Sequence, residues 1–188
     1  TVPIDAAALA TLAGVIESAT KSLTDYDQAS ALEATETFFW TFCDDYIELV
    51  KERAYNTDGR WTEEEAQSAR STLALAVDAL VRLFAPFLAF TSEEVWSWYR
   101  PGSVHVSPWP TAAPYLETGV PGDPALLDAA SAALIQLRRV KSEAKVSPRT
   151  PYLSVELGAD EATAALIEQI ASDLRAAARV TGDWAVTV

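Results

Sequence analysis

Cysteine and histidine are almost missing from this chain, each occurring once, as Cys43 and His105. A single cysteine excludes an internal disulfide and fits a reducing compartment, so a cytoplasmic setting is expected. One cysteine and one histidine also fall short of a plausible zinc site, and no metal is expected. Cys43 stands among aromatics and reads as a small buried hydrophobe. His105, in Ser103-Val104-His105-Val106-Ser107, sits in a pattern that alternates like a short strand, and reads as structural. No apolar run approaches about 18 residues, so no membrane partner is expected. The start, Thr1-Val2-Pro3-Ile4-Asp5, has neither an initiating methionine nor a basic-then-apolar leader. It reads as the cut edge of a longer chain.

Positive charge is scarce too. Fourteen lysines and arginines stand against 27 aspartates and glutamates, for a net charge of −13. Phosphate neutralisation drives non-specific nucleic-acid affinity, so such a surface argues against general binding and leaves only a local basic patch. A Gly-rich phosphate loop, a nucleophile elbow and clustered His with carboxylates are all missing. No catalytic constellation is visible, and no cofactor is expected in these residues. Asp44-Asp45 is not a working acid pair, because adjacent helical residues point about 100° apart. A solvated or capping role is expected for both.

What is present is enough apolar material for a core: 49% of the 188 residues are hydrophobic and 22% charged. That suits one domain, or a domain with a small appendage. Leu9, Leu12, Ile16 and Leu23 share a side of a first helix over 5–23, with Asp5 as its N-cap. A second helix runs from about Asp27 to Ala54 and ends in the turn Asn56-Thr57-Asp58-Gly59. Its aromatics phase so that Phe39, Phe42 and Tyr46 face a core, with Phe38 and Trp40 pointing elsewhere. Thr62 and Glu65 form a capping box for a third helix, whose apolar side is Leu73, Val77, Leu80, Leu83, Phe84, Phe87 and Leu88. Pro86 shortens its last turn. Thr91-Ser92-Glu93-Glu94 caps a short fourth helix ending at Pro101-Gly102.

Residues 101–124 are proline-rich and read as an ordered connector, with a subdomain boundary near Gly119. A fifth helix spans about 124–146. Tyr152–Leu157 alternates as a strand, Asp160 caps a sixth helix, and Trp184–Val188 is a second strand. The expected architecture is mainly α. A helical bundle with its connector fills 1–119, and a small α+β subdomain fills 120–188.

Within residues 138–149, Arg138, Arg139, Lys141, Lys145 and Arg149 stand against one acid, Glu143. With Leu134, Leu137, Val140 and Ala144 as the buried stripe, Arg138, Lys141 and Lys145 fall along one flank. A surplus of four positive charges there is a candidate phosphate-contacting ridge. The competing reading is a solvated helix face pairing with acidic neighbours. Lys51 and Arg53, with Arg60 nearby, form a second basic group, for which pairing with Glu48 and Glu52 competes.

Four segments resemble one family in the right order. Phe38-Phe39-Trp40-Thr41-Phe42-Cys43-Asp44-Asp45-Tyr46-Ile47-Glu48-Leu49-Val50-Lys51 resembles the anticodon-binding domain of the valyl branch of class Ia aminoacyl-tRNA synthetases. Leu83-Phe84-Ala85-Pro86-Phe87 with Thr91-Ser92-Glu93-Glu94-Val95-Trp96 is similar to a segment shared by the valyl, isoleucyl and leucyl branches. Val104-His105-Val106-Ser107-Pro108-Trp109-Pro110 is similar to the family's connector, and Leu137-Arg138-Arg139-Val140-Lys141-Ser142-Glu143 to the helix that follows it. Two positions depart from the pattern. Ala89 replaces a frequent second proline, and Thr11 stands where a basic residue is common, so no RNA contact is carried over to the first helix.

The resemblance implies a helical bundle that grips the anticodon stem-loop of a valine tRNA. The domain would belong to an ATP- and Mg-dependent ligase whose catalytic and editing domains lie elsewhere in the chain. The "HIGH" and "KMSKS" signatures of that class are missing here, as is the C-terminal coiled coil of many bacterial members. The alternatives are the same domain of an isoleucyl enzyme, or an acidic helical protein-interaction module without RNA.

Overall fold

Proline opens the first, and threonine caps the second, of the two 22-residue helices of the bundle. In the computed structural model, which describes residues 1–188, α1 spans Pro3–Thr24 with Pro3 at its first position. Proline suits that place because the missing N–H would have had no helical partner. Asp5 is therefore not a cap: it lies inside the first turn, fully buried. α2 (Gln28–Trp40) is capped by Asp27, whose carboxylate accepts from the Ser30 N–H at 3.0 Å. α3 covers Ile47–Tyr55 and α4 covers Glu63–Phe84. The expected capping box at Thr62 and Glu65 opens α4, both of its reciprocal hydrogen bonds being formed.

The expected single helix over 27–54 is interrupted. Thr41–Tyr46 winds as a π-helix, which adds roughly one residue per turn. That widening moves the aromatic phasing to four-residue steps. Phe38, Phe42 and Tyr46 are buried and stacked in sequence, with ring centroids 6.0 and 5.7 Å apart. Phe38 thus takes the core place expected of Phe39. Phe39 is half-buried and meets Phe84 edge-on at 5.5 Å, while Trp40 is exposed as expected.

The inner face of α4 is also made of smaller residues than its leucines suggested. Ala66, Ala69, Thr72, Ala76 and Ala79 are buried with Leu80 and Leu83, whereas Val77 is exposed. Small side chains let neighbouring helices approach closely, so alanine carries the contact and larger residues border it. After the turn at Pro86, α5 begins at Ala89 and runs to Ser97, four residues earlier than expected, which leaves Ser92 buried within it. Val104–Val106 is a single 3₁₀ turn and not a strand. A short α6 (Ala113–Leu116) lies on the connector. Gly122 then passes against α1 so closely that a Cβ there would sit 2.3 Å from the Ala6 carbonyl oxygen.

α7 spans Pro124–Glu143, capped by Asp123. Beyond it come β1 (Tyr152–Gly158), α8 (Glu161–Gln169), α9 (Ala171–Ala178) and β2 (Val180–Thr187). Asp160 caps α8 as expected, but the sixth helix is two helices. The strands pair in parallel, which requires the long α8–α9 crossover between them. Their register shifts between Tyr152 and Ser154, beside Gly182, where a Cβ would fall 1.8 Å from the Leu153 carbonyl oxygen. One apolar core joins both ends of the chain, running from Ile4, Leu12 and Ile16 through Tyr46 and Leu83 to Leu137, Val155 and Leu174. No helix is long and apolar enough to cross a membrane.

Candidate nucleic-acid interface

Two of the basic residues singled out by sequence turn inward. Arg53, on α3, is buried and hydrogen-bonded through all three of its nitrogens. Its Nε donates to both Asp173 carboxylate oxygens at 3.0 and 3.1 Å. Its Nη1 and Nη2 donate to Asp5 at 2.9 and 2.8 Å, and Nη1 also donates to the Glu65 carbonyl at 2.8 Å. Asp5 further accepts from the Tyr46 hydroxyl at 2.7 Å and from Ser68 at 2.5 Å. Burial alone would lower the Arg53 pKa; hydrogen bonds and charge from Asp5, then Asp173, more than offset it and hold the group above the ordinary arginine value. The expected exposed cation at 53 is corrected: it ties α1, α3, α4 and α9 together and is too deeply buried to meet a phosphate.

Lys141 is the second correction. It is only 7% exposed, because the buried stripe of α7 continues through Ala130, Ala133, Leu134, Leu137 and Lys141, leaving Val140 and Ala144 exposed. Its Nζ donates to the carbonyls of Pro148 at 3.0 Å and Ala178 at 2.9 Å, and lies 4.7 Å from the centre of the Tyr152 ring. Burial, and after it the charge of Arg179, pulls this ammonium below the usual lysine value. Lys141 therefore clamps the end of α9 and the 144–151 loop onto α7.

Around that clamp lies a cleft of about 770 Å³ between α3, the ends of α7 and α9, and the start of β1. Lys51, Arg138, Lys141, Arg149 and Arg179 line it, with Glu48 and Glu52 on the α3 wall. Lys51 is bound to Glu48 at 2.6 Å. Arg138 anchors α7 to the π-helical turn: Nη2 donates to the Asp44 carbonyl at 2.6 Å and Nη1 to Asp45 Oδ1 at 3.0 Å. Asp45 is thus an ion-pair partner and not a solvated acid. Arg139 is exposed and paired with Glu143 at 2.7 Å. Lys145 and Arg149 are exposed, with no carboxylate within 4.0 Å.

Charge pairing separates the two parts of the chain. All nine basic side chains up to residue 140 have a carboxylate within 4.0 Å. The five without one are Lys141, Lys145, Arg149, Arg175 and Arg179, all beyond residue 140. Arg179 was missed by sequence reading. It follows Ala176-Ala177-Ala178 at the junction of α9 and β2, in left-handed conformation with φ 60°. Lys145 takes the equivalent place beyond α7 with φ 53°, where the Val146 N–H closes back on the Lys141 carbonyl at 3.1 Å. Glycine is the usual residue at such helix ends. A cation there costs some backbone strain but sits at the negative end of the helix dipole. A helix end lacking glycine and carrying a cation is the signal that could have found Arg179.

Packed helices are thus closed by a small parallel unit, and three cations without a carboxylate partner, Lys141, Arg149 and Arg179, line one cleft. Residues 5–157 match the family described as "Anticodon-binding domain of tRNA ligase", and the chain belongs to that family. It is 47% identical over 190 residues to the valine–tRNA ligase of Bifidobacterium longum, covering 98% of this chain and 21% of that protein. It is 49% identical over 172 residues to the valine–tRNA ligase of Cutibacterium acnes, covering 92% and 19%, and 48% identical over 181 residues to that of Thermobifida fusca, covering 96% and 20%. The chain spans about a fifth of the length of these curated relatives.

Proposed function

We propose that residues 1–188 form the anticodon stem-loop docking domain of a valine–tRNA ligase, a cytoplasmic enzyme that joins valine to its tRNA. The single observation that carries the tRNA contact is the gathering of unpaired cations around the α7–α9 cleft of a chain whose net charge is −13. Arg149 and Arg179 reach phosphates from the two sides of the Lys141 clamp, and Lys145 extends the same basic surface. Arg138 and Arg139 border it at the cost of exchanging their carboxylate partners, as does Lys51. In this reading residues 1–119 supply the bundle and 120–188 the cation-bearing wall. Phosphate contacts of this kind fix register, and base edges in the loop then set selectivity. The catalytic and editing domains, with ATP and Mg, belong to other parts of the same polypeptide.

Binding of the natural full-length protein to a valine-tRNA anticodon stem-loop, measured across a salt series, tests this. With about three phosphate contacts, the logarithm of affinity should fall against the logarithm of salt with a slope near −2 to −3. Preference for an isoleucine anticodon would move the domain to the isoleucyl branch. Salt-independent or absent binding at low ionic strength would favour the acidic protein-interaction module.

A further inference from the structure

The cleft between α3 and the ends of α7 and α9 is lined by opposite charges that do not close on each other. Arg149 and Arg179 line it with no carboxylate within 4.0 Å. On the α3 wall Glu52 is exposed, with no basic group within 4.0 Å. Glu48, one turn earlier, accepts from Lys51 through Oε2 at 2.6 Å, and its Oε1 has no partner. Residues four apart share a helix face, so both carboxylates border the same space. Two like charges at that spacing do not help the helix itself. Charges of opposite sign that line one cavity and stay apart leave room for a ligand between them. That room is about 770 Å³, within the range of small-ligand sites, and Leu134, Leu137, Val146 and Tyr152 add an apolar lining.

We propose that the cleft holds one unstacked nucleotide, its phosphate on Arg149 and Arg179 and the exocyclic amine of its base on Glu48 and Glu52. This rests on the reading that tRNA docks at the cleft, and it adds the choice of base, which phosphate contacts do not make. A plain polyanion does not suit the site, because the α3 wall would repel it. A nucleotide does, since it carries negative charge at one end and hydrogen-bond donors at the other. A carboxylate accepts hydrogen bonds and donates none, so it pairs with an amino edge, as acidic side chains do with cytosine N4. Adenine, cytosine and guanine carry such an amine; uracil does not. The base must come from a single-stranded loop, where its edge is free and its rings can lie on apolar and aromatic side chains. Glu48 and Glu52 are then the specificity-determining residues of the cleft.

Deletion of single amines from a valine-tRNA anticodon stem-loop, with binding to the natural full-length protein measured across a salt series, tests the assignment. Each adenosine, cytidine and guanosine of the loop is replaced in turn by purine riboside, pyrimidin-2-one riboside or inosine, which lack only the amine. At one position the deletion should weaken wild-type binding by about tenfold or more, as for a hydrogen bond to a charged group. In Glu48→Leu/Glu52→Leu the same deletion should cost less than about twofold, because its partner is already gone. Neither carboxylate bonds to another element, so the variant keeps the fold. A wild type indifferent to every amine, or a variant that keeps the full penalty, would overturn the proposal, while salt-dependent affinity would leave the cleft reading standing. A variant that binds every loop more tightly with the penalty intact would reduce the two acids to a repulsive wall, which overturns it as well. Affinity indifferent to salt would remove the cleft reading, and the base pocket with it.

Discussion

Arg53 and Asp173, 120 residues apart in sequence, meet in the core through two hydrogen bonds from Nε, at 3.0 and 3.1 Å. The same guanidinium holds Asp5 on α1, so one side chain joins the first helix to the last. Removing one member of a buried ion network leaves the others charged and unpaired, which costs about 3–5 kcal/mol. Arg53→Met should therefore lower unfolding free energy by about that amount, measured by urea denaturation. A loss under about 1 kcal/mol would show that the network is dispensable.

Lys141 works by position. Lys141→Met keeps the apolar stem but leaves the Pro148 and Ala178 carbonyls without their donor, at about 1–3 kcal/mol for buried groups. The expected outcome is a matching drop in stability together with weakened tRNA binding, because the loop bearing Arg149 and the helix end bearing Arg179 lose their common anchor. Lys141→Arg, which retains donors, should recover part of both. Stability lost with affinity unchanged would separate Lys141 from the cleft.

Tyr46 gives the fold a pH dependence of known sign. Burial, and after it the charge of Asp5, raises its phenol well above the ordinary value of 10.0. The folded state therefore keeps a proton that the unfolded chain releases near pH 10. The associated stability is complete below that pH and is lost as pH rises through and beyond it. Wild-type urea midpoints should fall more steeply between pH 9.5 and 11 than those of Tyr46→Phe. Parallel curves would contradict the assignment.

Local features of the fold were legible in sequence. The capping box of Thr62 and Glu65, the helix start near Asp27, the cap at Asp160 and the turn at Asn56 each depend on residues within a few positions of one another. The misreadings arise where a distant partner or a backbone irregularity decides. Asp5 has the composition of an N-cap, and only Arg53 and Tyr46 make it a core residue. The π-helical turn shifts the phase of the aromatics by one residue, which moves Phe38 inward; a fixed period of 3.6 cannot anticipate this. Lys141 looked like a ridge residue because its acceptors, on Pro148 and Ala178, lie in segments whose packing helical spacing does not describe. Family membership was legible for a different reason, since the run from Phe38 to Lys51 resembles one branch closely. Of the basic group at 138–149, Arg138, Lys141 and Arg149 line the cleft, whereas Arg179 reaches it only through the α8–α9 crossover.

The most direct test compares Arg149→Glu/Arg179→Glu with wild type in the natural full-length protein, measuring affinity for valine tRNA across a salt series. Lys21→Glu, an exposed reversal at the end of α1, serves as the control. At about 1.4 kcal/mol per reversed contact, the double variant should bind roughly a hundredfold more weakly. Its salt slope should be shallower by about 1–2, and its stability unchanged. The control should stay within about threefold of wild type, as expected for a screened surface charge. A double variant that binds like the control, with the wild-type salt slope, would contradict the claim that the α7–α9 cleft holds the tRNA.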